Sequence, residues 1–231
     1  HHLLKIIPQD GNIIYFQEDK NTLDILNKGN WSQLIPIGTN HSYDIDYKNN
    51  LILAQDTEFS MKDFIIFGSH NAKNVISAIA ATNVNGASIE ESINALKSFQ
   101  GVKRRLELKY QDSSIIIIDD FAHHPTAIKY SIDAVRKKFK DSKIIGLIEL
   151  GSNTMSDGIH GDSLVKAASD LDSVIWIDEK GVLLESSNTT FASDTLCINA
   201  LKKDLKKYDI LLIMTNKNSE RLWKPIIEYI Q

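Results

Sequence analysis

Apolar and polar positions along this 231-residue chain follow two different rhythms. Up to Phe67 the apolar runs are short (Asn12 to Phe16, Leu51 to Ala54, Phe64 to Phe67), and Asn, Gly and Asp interrupt them. Runs of that length and punctuation predict strands and loops, with one helical stretch near Thr22 to Asn27. Two helices come next. Asn71 to Asn85 carries Ala72, Val75, Ile76, Ile79 and Ala80 at core spacing, and Ser88 to Phe99 opens on the capping box Ser88-Ile89-Glu90-Glu91. Gly86 and Gly101 close them.

Beyond Gly101 strands and helices alternate. Strands are expected at Ile115 to Ile118, Ile144 to Glu149, Ser173 to Ile177 and Asp209 to Met214. Helices are expected at Pro125 to Phe139, Asp162 to Leu171, Ala200 to Tyr208 and Glu220 to Ile230. Continuous apolar strands separated by helices imply an α/β fold with a mostly parallel sheet covered on both faces. The boundary between the two parts is expected near Gly101 to Arg105.

Composition narrows the functional classes. With 42% hydrophobic and 24% charged residues the chain can bury a core and is not expected to be disordered. The 26 basic and 30 acidic residues are interspersed and sum to -4, which leaves no basic face for nucleic acid or an anionic membrane. The single cysteine, Cys197, lies in an apolar run and reads as a small buried hydrophobe, in keeping with a cytoplasmic protein. No run approaches the roughly 20 apolar residues of a membrane span. The chain opens on His1-His2 rather than Met and looks like an excised fragment; taken alone the pair reads as the stub of a purification tag.

Three groups of residues could carry chemistry. In an open parallel sheet ligands bind beyond the carboxyl ends of the strands, which directs attention to Asp119 and Asp120 just after Ile115-Ile116-Ile117-Ile118. Acids there can hold a ribose hydroxyl or a hydrated cation, or simply cap a turn. His123 and His124 precede Pro125 at the start of the next helix, where capping, anion binding and a metal site are equally open readings. In the second group, His70, Asn71 and Asn74 fall within one sector of roughly 100° on their helix. They either meet an adenine edge or form an N-cap and a solvated face. The third is Lys103-Arg104-Arg105, whose guanidinium forks suit phosphate or ribose oxygens if the triplet is more than a solvated run.

Taken together, Gly68-Ser69-His70-Asn71-x-x-Asn74, Gly101-Val102-Lys103-Arg104-Arg105-Leu106-Glu107 and Asp119 to Thr126 resemble the Mur ligase family in order and spacing. Within it, Phe99-Gln100-Gly101-Val102-Lys103-Arg104-Arg105 and Ser152-Asn153-Thr154-Met155 favour the branch that recycles murein peptide, with the alanine-adding branch next. The resemblance implies that residues 1–103 are the C-terminal portion of a central ATP-binding domain and residues 104–231 a Rossmann-like C-terminal domain for the peptide substrate. It also makes His1-His2 native. By position, His70, Asn71 and Asn74 would contact adenine, and Arg105 and Asp120 the ribose. His123 and His124 would lie at the reacting centre, and Ser152, Asn153 and Thr154 would meet the substrate. The implied reaction joins UDP-N-acetylmuramate to L-Ala-γ-D-Glu-meso-diaminopimelate through an acyl phosphate, with ATP and Mg2+, in peptidoglycan recycling.

Departures from the family pattern qualify that expectation. No Gly-x-x-x-x-Gly-Lys-Ser/Thr phosphate loop occurs, so this chain alone is not expected to turn over ATP. Where the recycling branch reads Glu-Pro-Arg-Ser-Asn-Thr, the chain has Glu149-Leu150-Gly151-Ser152-Asn153-Thr154, without the arginine. A glycine-rich loop of relatives is replaced by Thr215-Asn216-Lys217-Asn218-Ser219-Glu220, where Lys217 is the available cation. These departures motivate an alternative reading, a non-catalytic binding module derived from the family. A hydrolase using zinc on His123 and His124 is a further alternative.

Overall fold

Asparagine and glycine at short intervals keep the elements of the first hundred residues short. The computed structural model describes residues 2–183 and 189–231, and the chain divides into two units, His1–Gln100 and Gly101–Gln231. His1, half of the opening histidine pair, lies outside the described residues.

Unit one runs through α1 (His2–Ile6), β1 (Asn12–Phe16), α2 (Lys20–Leu26), β2 (Gln33–Ile37), β3 (Tyr43–Asp46), β4 (Leu51–Ala54), β5 (Thr57–Ser60), α3 (Ser69–Val84) and α4 (Ile89–Ser98). β1 and β2 pair in parallel through the α2 crossover, and β3, β4 and β5 form an antiparallel meander. Ala72, Val75, Ile76, Ile79 and Ala80 form the buried stripe of α3 and pack with Ile37, Ile45 and Ile52 into one core. α4 begins on the expected capping box: Ser88 Oγ accepts from Glu91 N at 3.1 Å, and the Glu91 carboxylate accepts from Ser88 N at 2.8 Å. The Phe64 to Phe67 run forms no strand. Phe64 instead ends a one-turn helix and stands edge-on to Phe59, ring centroids 5.8 Å apart, because burial of one ring anchors a connection as well as it anchors a strand.

Unit two contains β6 (Glu107–Gln111), β7 (Ile116–Asp120), α5 (Pro125–Lys138), β8 (Ile144–Glu149), α6 (Asn153–Ser156), α7 (Asp162–Ala167), β9 (Ser173–Ile177), β10 (Thr190–Phe191), α8 (Asp194–Asp204), β11 (Ile210–Met214) and α9 (Glu220–Ile230). The sheet order is β10-β9-β8-β11-β7-β6, parallel except for β6 against β7. Strand residues such as Ile117, Leu147, Ile175 and Leu211 bury against Cys197, Leu201, Leu222 and Ile226 of α8 and α9. Strand residues of opposite parity, Ile118, Ile144 and Ile148, are buried too, as are Ile128, Ile132 and Val135 of α5, so the sheet is covered on both faces. The edge strand β6 carries too little apolar alternation to be read in advance. α8 starts at Asp194 rather than Ala200, and α7 ends at Ala167 rather than Leu171. Among the described residues no helix is long and apolar enough to cross a membrane.

Candidate functional site

β11 lies between β7 and β8, and the register sets Met214 beside both Asp120 and Ile148. The carboxyl ends of three strands therefore lie side by side. Asp119 and Asp120 are the last two residues of β7, not the residues after it, because Asp119 pairs with Ile213 and Glu107 and Asp120 with Met214. Both side chains are buried. Asp119 Oδ2 accepts from Ser219 Oγ at 2.6 Å and lies 3.7 Å from Arg104 Nε, an ion pair too long to be a hydrogen bond. Burial pushes the Asp119 carboxyl above the ordinary carboxylate range, against the opposing effects of Ser219 and Arg104. Asp120 accepts from Leu106 N at 2.8 Å on Oδ2, and from Ala122 N at 2.8 Å and Ser131 Oγ at 2.9 Å on Oδ1.

The basic triplet becomes a shaped turn. Arg104 and Leu106 have φ of 60° and 50°, in the left-handed region, which for non-glycine residues costs on the order of 1–3 kcal/mol each. The turn persists because its backbone is held on both sides. Glu107 Oε2 accepts from Arg104 N at 2.8 Å, Arg104 O accepts from Phe121 N at 2.8 Å, and Asp120 takes Leu106 N. Arg104 turns its guanidinium inward, Nη2 donating to Thr215 O at 2.5 Å and its carbon 4.8 Å from the centre of the Phe121 ring. Arg105 between them is exposed, its guanidinium 5.9 Å from the same ring.

Pro125 stands at the first turn of α5, as expected, and the capping residue is His124, whose Nδ1 accepts from Thr126 N at 3.3 Å. His123 Nδ1 lies 2.8 Å from the Phe121 carbonyl, which can only accept, so that nitrogen carries the proton. The ring of His160, which sequence reasoning missed, meets His124 edge to face with centroids 4.7 Å apart. Only its imidazole type pointed to it; the contact spans too much chain to be read from spacing.

At the ends of β8 and β11 a second buried acid, Glu149, gathers cations. Its Oε2 accepts from Thr215 Oγ1 and Arg221 Nη2, each at 2.5 Å, and Lys217 Nζ lies 3.1 Å from Oε1. Lys217 also reaches Glu179 at 3.2 Å, and Arg221 pairs with Asp194. Lys217 is thus engaged by two carboxylates. Gly151 gives this packing room, since a Cβ there would force the end of the Asn216 side chain to move and would crowd Lys217 Cγ. Ser152 caps the short α6, and Ser152 Oγ lies 3.3 Å from Thr154 Oγ1, with Asn153 as the first helical residue. Glu149, Thr215, Ser219 and Arg221 were not singled out from sequence. The available signal was an acid ending an apolar strand, the same one that marks Asp119 and Asp120.

In unit one, α3 starts two residues earlier than the periodicity suggests, with Gly68 at φ 95° as its cap, so Asn71 is not the N-cap. Asn71 is buried, donates to Phe67 O at 2.8 Å and accepts from Asn74 Nδ2 at 3.4 Å. Asn74 is exposed and His70 half-buried. Among the described residues no three His, Cys, Asp or Glu side chains converge as a cation site, so magnesium is assigned no ligand here.

Residues 104–216 match the sequence profile of the Mur ligase glutamate ligase domain. The chain is 32% identical over 183 residues to the UDP-N-acetylmuramate--L-alanyl-γ-D-glutamyl-meso-2,6-diaminoheptandioate ligase of Haemophilus influenzae, covering 77% of this chain and 40% of that one. It is 34% identical over 183 residues to the ligase of the same name from Escherichia coli, with the same coverage. A murein peptide ligase of known structure from Psychrobacter arcticus superposes with a TM-score of 0.70 at 29% identity, over 100% of this chain and 53% of that one. The chain thus spans less than half the length of the two curated relatives.

Proposed function

Since residues 104–216 match the Mur ligase glutamate ligase domain, we propose that this chain belongs to an ATP-dependent ligase joining UDP-N-acetylmuramate to L-Ala-γ-D-Glu-meso-diaminopimelate in peptidoglycan recycling. The observation that carries this reading is the row of buried acids at the ends of β7 and β8: Asp120 holds the turn bearing the exposed Arg105 and the loop leading to His123 and His124, while Glu149 holds Thr215, Lys217 and Arg221 beside the strand end that leads to Ser152. Names of relatives at 32% and 34% identity point to the same substrates.

In the proposed chemistry ATP phosphorylates the sugar carboxylate, the peptide amine attacks the acyl phosphate, and the tetrahedral intermediate expels phosphate. Such a reaction depends mainly on positioning and on donors set around the transferring oxygens. His70, Asn71 and Asn74 offer donors and acceptors suited to an adenine edge. Arg105 and Asp120 serve the ribose. His123 presents Nε2 once its Nδ1 is committed to Phe121 O, and with His124 at the α5 start it faces the phosphoryl chemistry, where helix N–H groups favour anions. Ser152, Asn153 and Thr154 serve the peptide. Magnesium, when bound, neutralises phosphate oxygens. The chain itself supplies no phosphate loop.

The test is incubation of the intact protein carrying this chain with ATP, UDP-N-acetylmuramate and the tripeptide. Phosphate release coupled to a product heavier by the tripeptide less water is expected. Absence of both overturns the proposal, and turnover with free L-alanine instead reassigns the protein to the alanine-adding branch.

A further inference from the structure

Ser, Thr, Asp and Asn are the preferred helix N-caps, because a short side-chain oxygen reaches the first-turn amides well. α5 is capped by a histidine instead, and the reach is long: His124 Nδ1 accepts from Thr126 N at 3.3 Å, on an exposed residue. One long bond holds a ring weakly. A second restraint comes from the chain beyond β8, where His160 sets its ring against that of His124 with centroids 4.7 Å apart and planes at 81°, the edge-to-face arrangement that aromatic rings prefer. Since His124 Nδ1 is occupied as an acceptor, Nε2 carries the ring proton and is the nitrogen left to meet a ligand.

His160 is itself fixed in place. Its carbonyl accepts from Ser163 N at 3.0 Å and from Ser163 Oγ. Ile159 N before it donates to Thr154 O at 3.2 Å, and Gly161 N after it donates to Gly158 O at 3.1 Å. Gly158 and Gly161, at φ 71° and 43°, supply the left-handed turns on either side. Met155 and Leu164 are buried beneath the loop, and α7 packs against α5. The His160 Nε2 is buried without a hydrogen-bond partner among the described residues. At this place the side chain therefore contributes its ring face rather than a hydrogen bond.

We propose that His160 is a positioning residue for the ligase reaction: its ring is the wall that keeps the His124 imidazole in its capping orientation, with Nε2 presented for the phosphoryl chemistry. The contact joins the loop that begins at Ser152, assigned to the peptide, to the helix start assigned to phosphate. Its purpose rests on the reading of His124 as a residue of the reacting centre; the contact itself does not.

Three substitutions at one position separate the possibilities. In this chain, hydrogen exchange of the Thr126 amide is expected to rise roughly fivefold in His160→Ala and to stay within about twofold of wild type in His160→Phe, with β8 and β11 amides unchanged in both. In the intact protein, kcat is expected to fall roughly tenfold in His160→Ala, with the KM for the tripeptide within about twofold of wild type. His160→Phe, which keeps a ring, should recover most of kcat; His160→Gln, polar but without a ring, should not. His124→Ala should lower kcat at least as far, and the double variant with His160→Ala no further than His124→Ala alone.

Recovery by His160→Gln and not by His160→Phe would mean that a polar group of His160 meets a ligand directly, and would overturn the proposal. So would additive effects of His124→Ala and His160→Ala, unchanged Thr126 exchange in His160→Ala, or a raised tripeptide KM at unchanged kcat, which is the mark of a loop merely loosened. If the wild-type protein showed no ATP-dependent ligation, the proposed function would fall and the catalytic purpose of the contact with it, while the Thr126 exchange would still decide whether His160 holds the ring. If His160→Ala does not fold, the Phe and Gln variants decide alone: failure of His160→Phe to keep kcat and Thr126 exchange near wild type overturns the wall.

Discussion

The thiol of Cys197 sits fully buried in α8, 3.6 Å from the Trp176 carbonyl, and its pKa is pushed up to about 12, by burial first and then by the Asp194 and Glu149 carboxylates. Because the thiolate is the reactive form, the folded chain should not react with an aromatic disulfide reagent at pH 8, and one equivalent should react once the chain is unfolded in guanidinium. Stoichiometric labelling of the folded chain would contradict the burial. Asp119 shows the same physics on a carboxylate. Its pKa is raised above the ordinary 3.8 chiefly by burial, so its contribution to stability is fully present below that value and is lost as pH rises through the higher folded-state pKa. Asp119→Asn cannot make that loss. The stability of the wild type relative to Asp119→Asn should therefore decline as pH rises above about 3.8, and level off once the folded-state pKa has been passed; urea midpoints for both chains across that range test it, and a gap that widens with pH reverses the sign.

Elements with a strong local signal were legible before the structure. The Ser88 capping box, Pro125 at a helix start and the all-apolar Ile144 to Glu149 strand are each determined by neighbours in sequence, and they lie where expected. β6 and the two-residue β10 were not legible, since each is held by pairing with a distant strand rather than by its own pattern. The candidate site divides in the same way. The acids ending β7 stood out as charges closing an apolar run, whereas Glu149 gains its meaning only from Thr215, Lys217 and Arg221, which the β8–β11 register brings to it. That cluster ties α9 to the end of β8, and it can be broken from the helix side. Arg221→Leu leaves Glu149 buried with one partner fewer, which should cost on the order of 3 kcal/mol. Lower urea midpoints at unchanged slope would show this; a variant as stable as wild type would mean that Lys217 and Thr215 suffice.

At the scale of the whole molecule, buried clusters among the described residues respect the division into two units. One buried cluster draws only on residues between Ile37 and Ile89, another only on residues between Ile115 and Ile226. Unit two has the stronger claim to independence, because its six-stranded sheet takes all its strands from its own sequence and both faces of that sheet are covered by its own helices. Among the described residues unit one has a two-stranded parallel pair and a three-stranded meander, and a two-stranded sheet has little stability of its own. Residues 101–231 produced alone should therefore unfold in one cooperative urea transition, with a slope of about 1–3 kcal/mol per molar, as expected for a small domain. Residues 1–100 alone should unfold at lower urea. A broad, non-cooperative transition for residues 101–231 would mean that the sheet does not fold without the first hundred residues, and the division into two units would then describe geometry rather than folding.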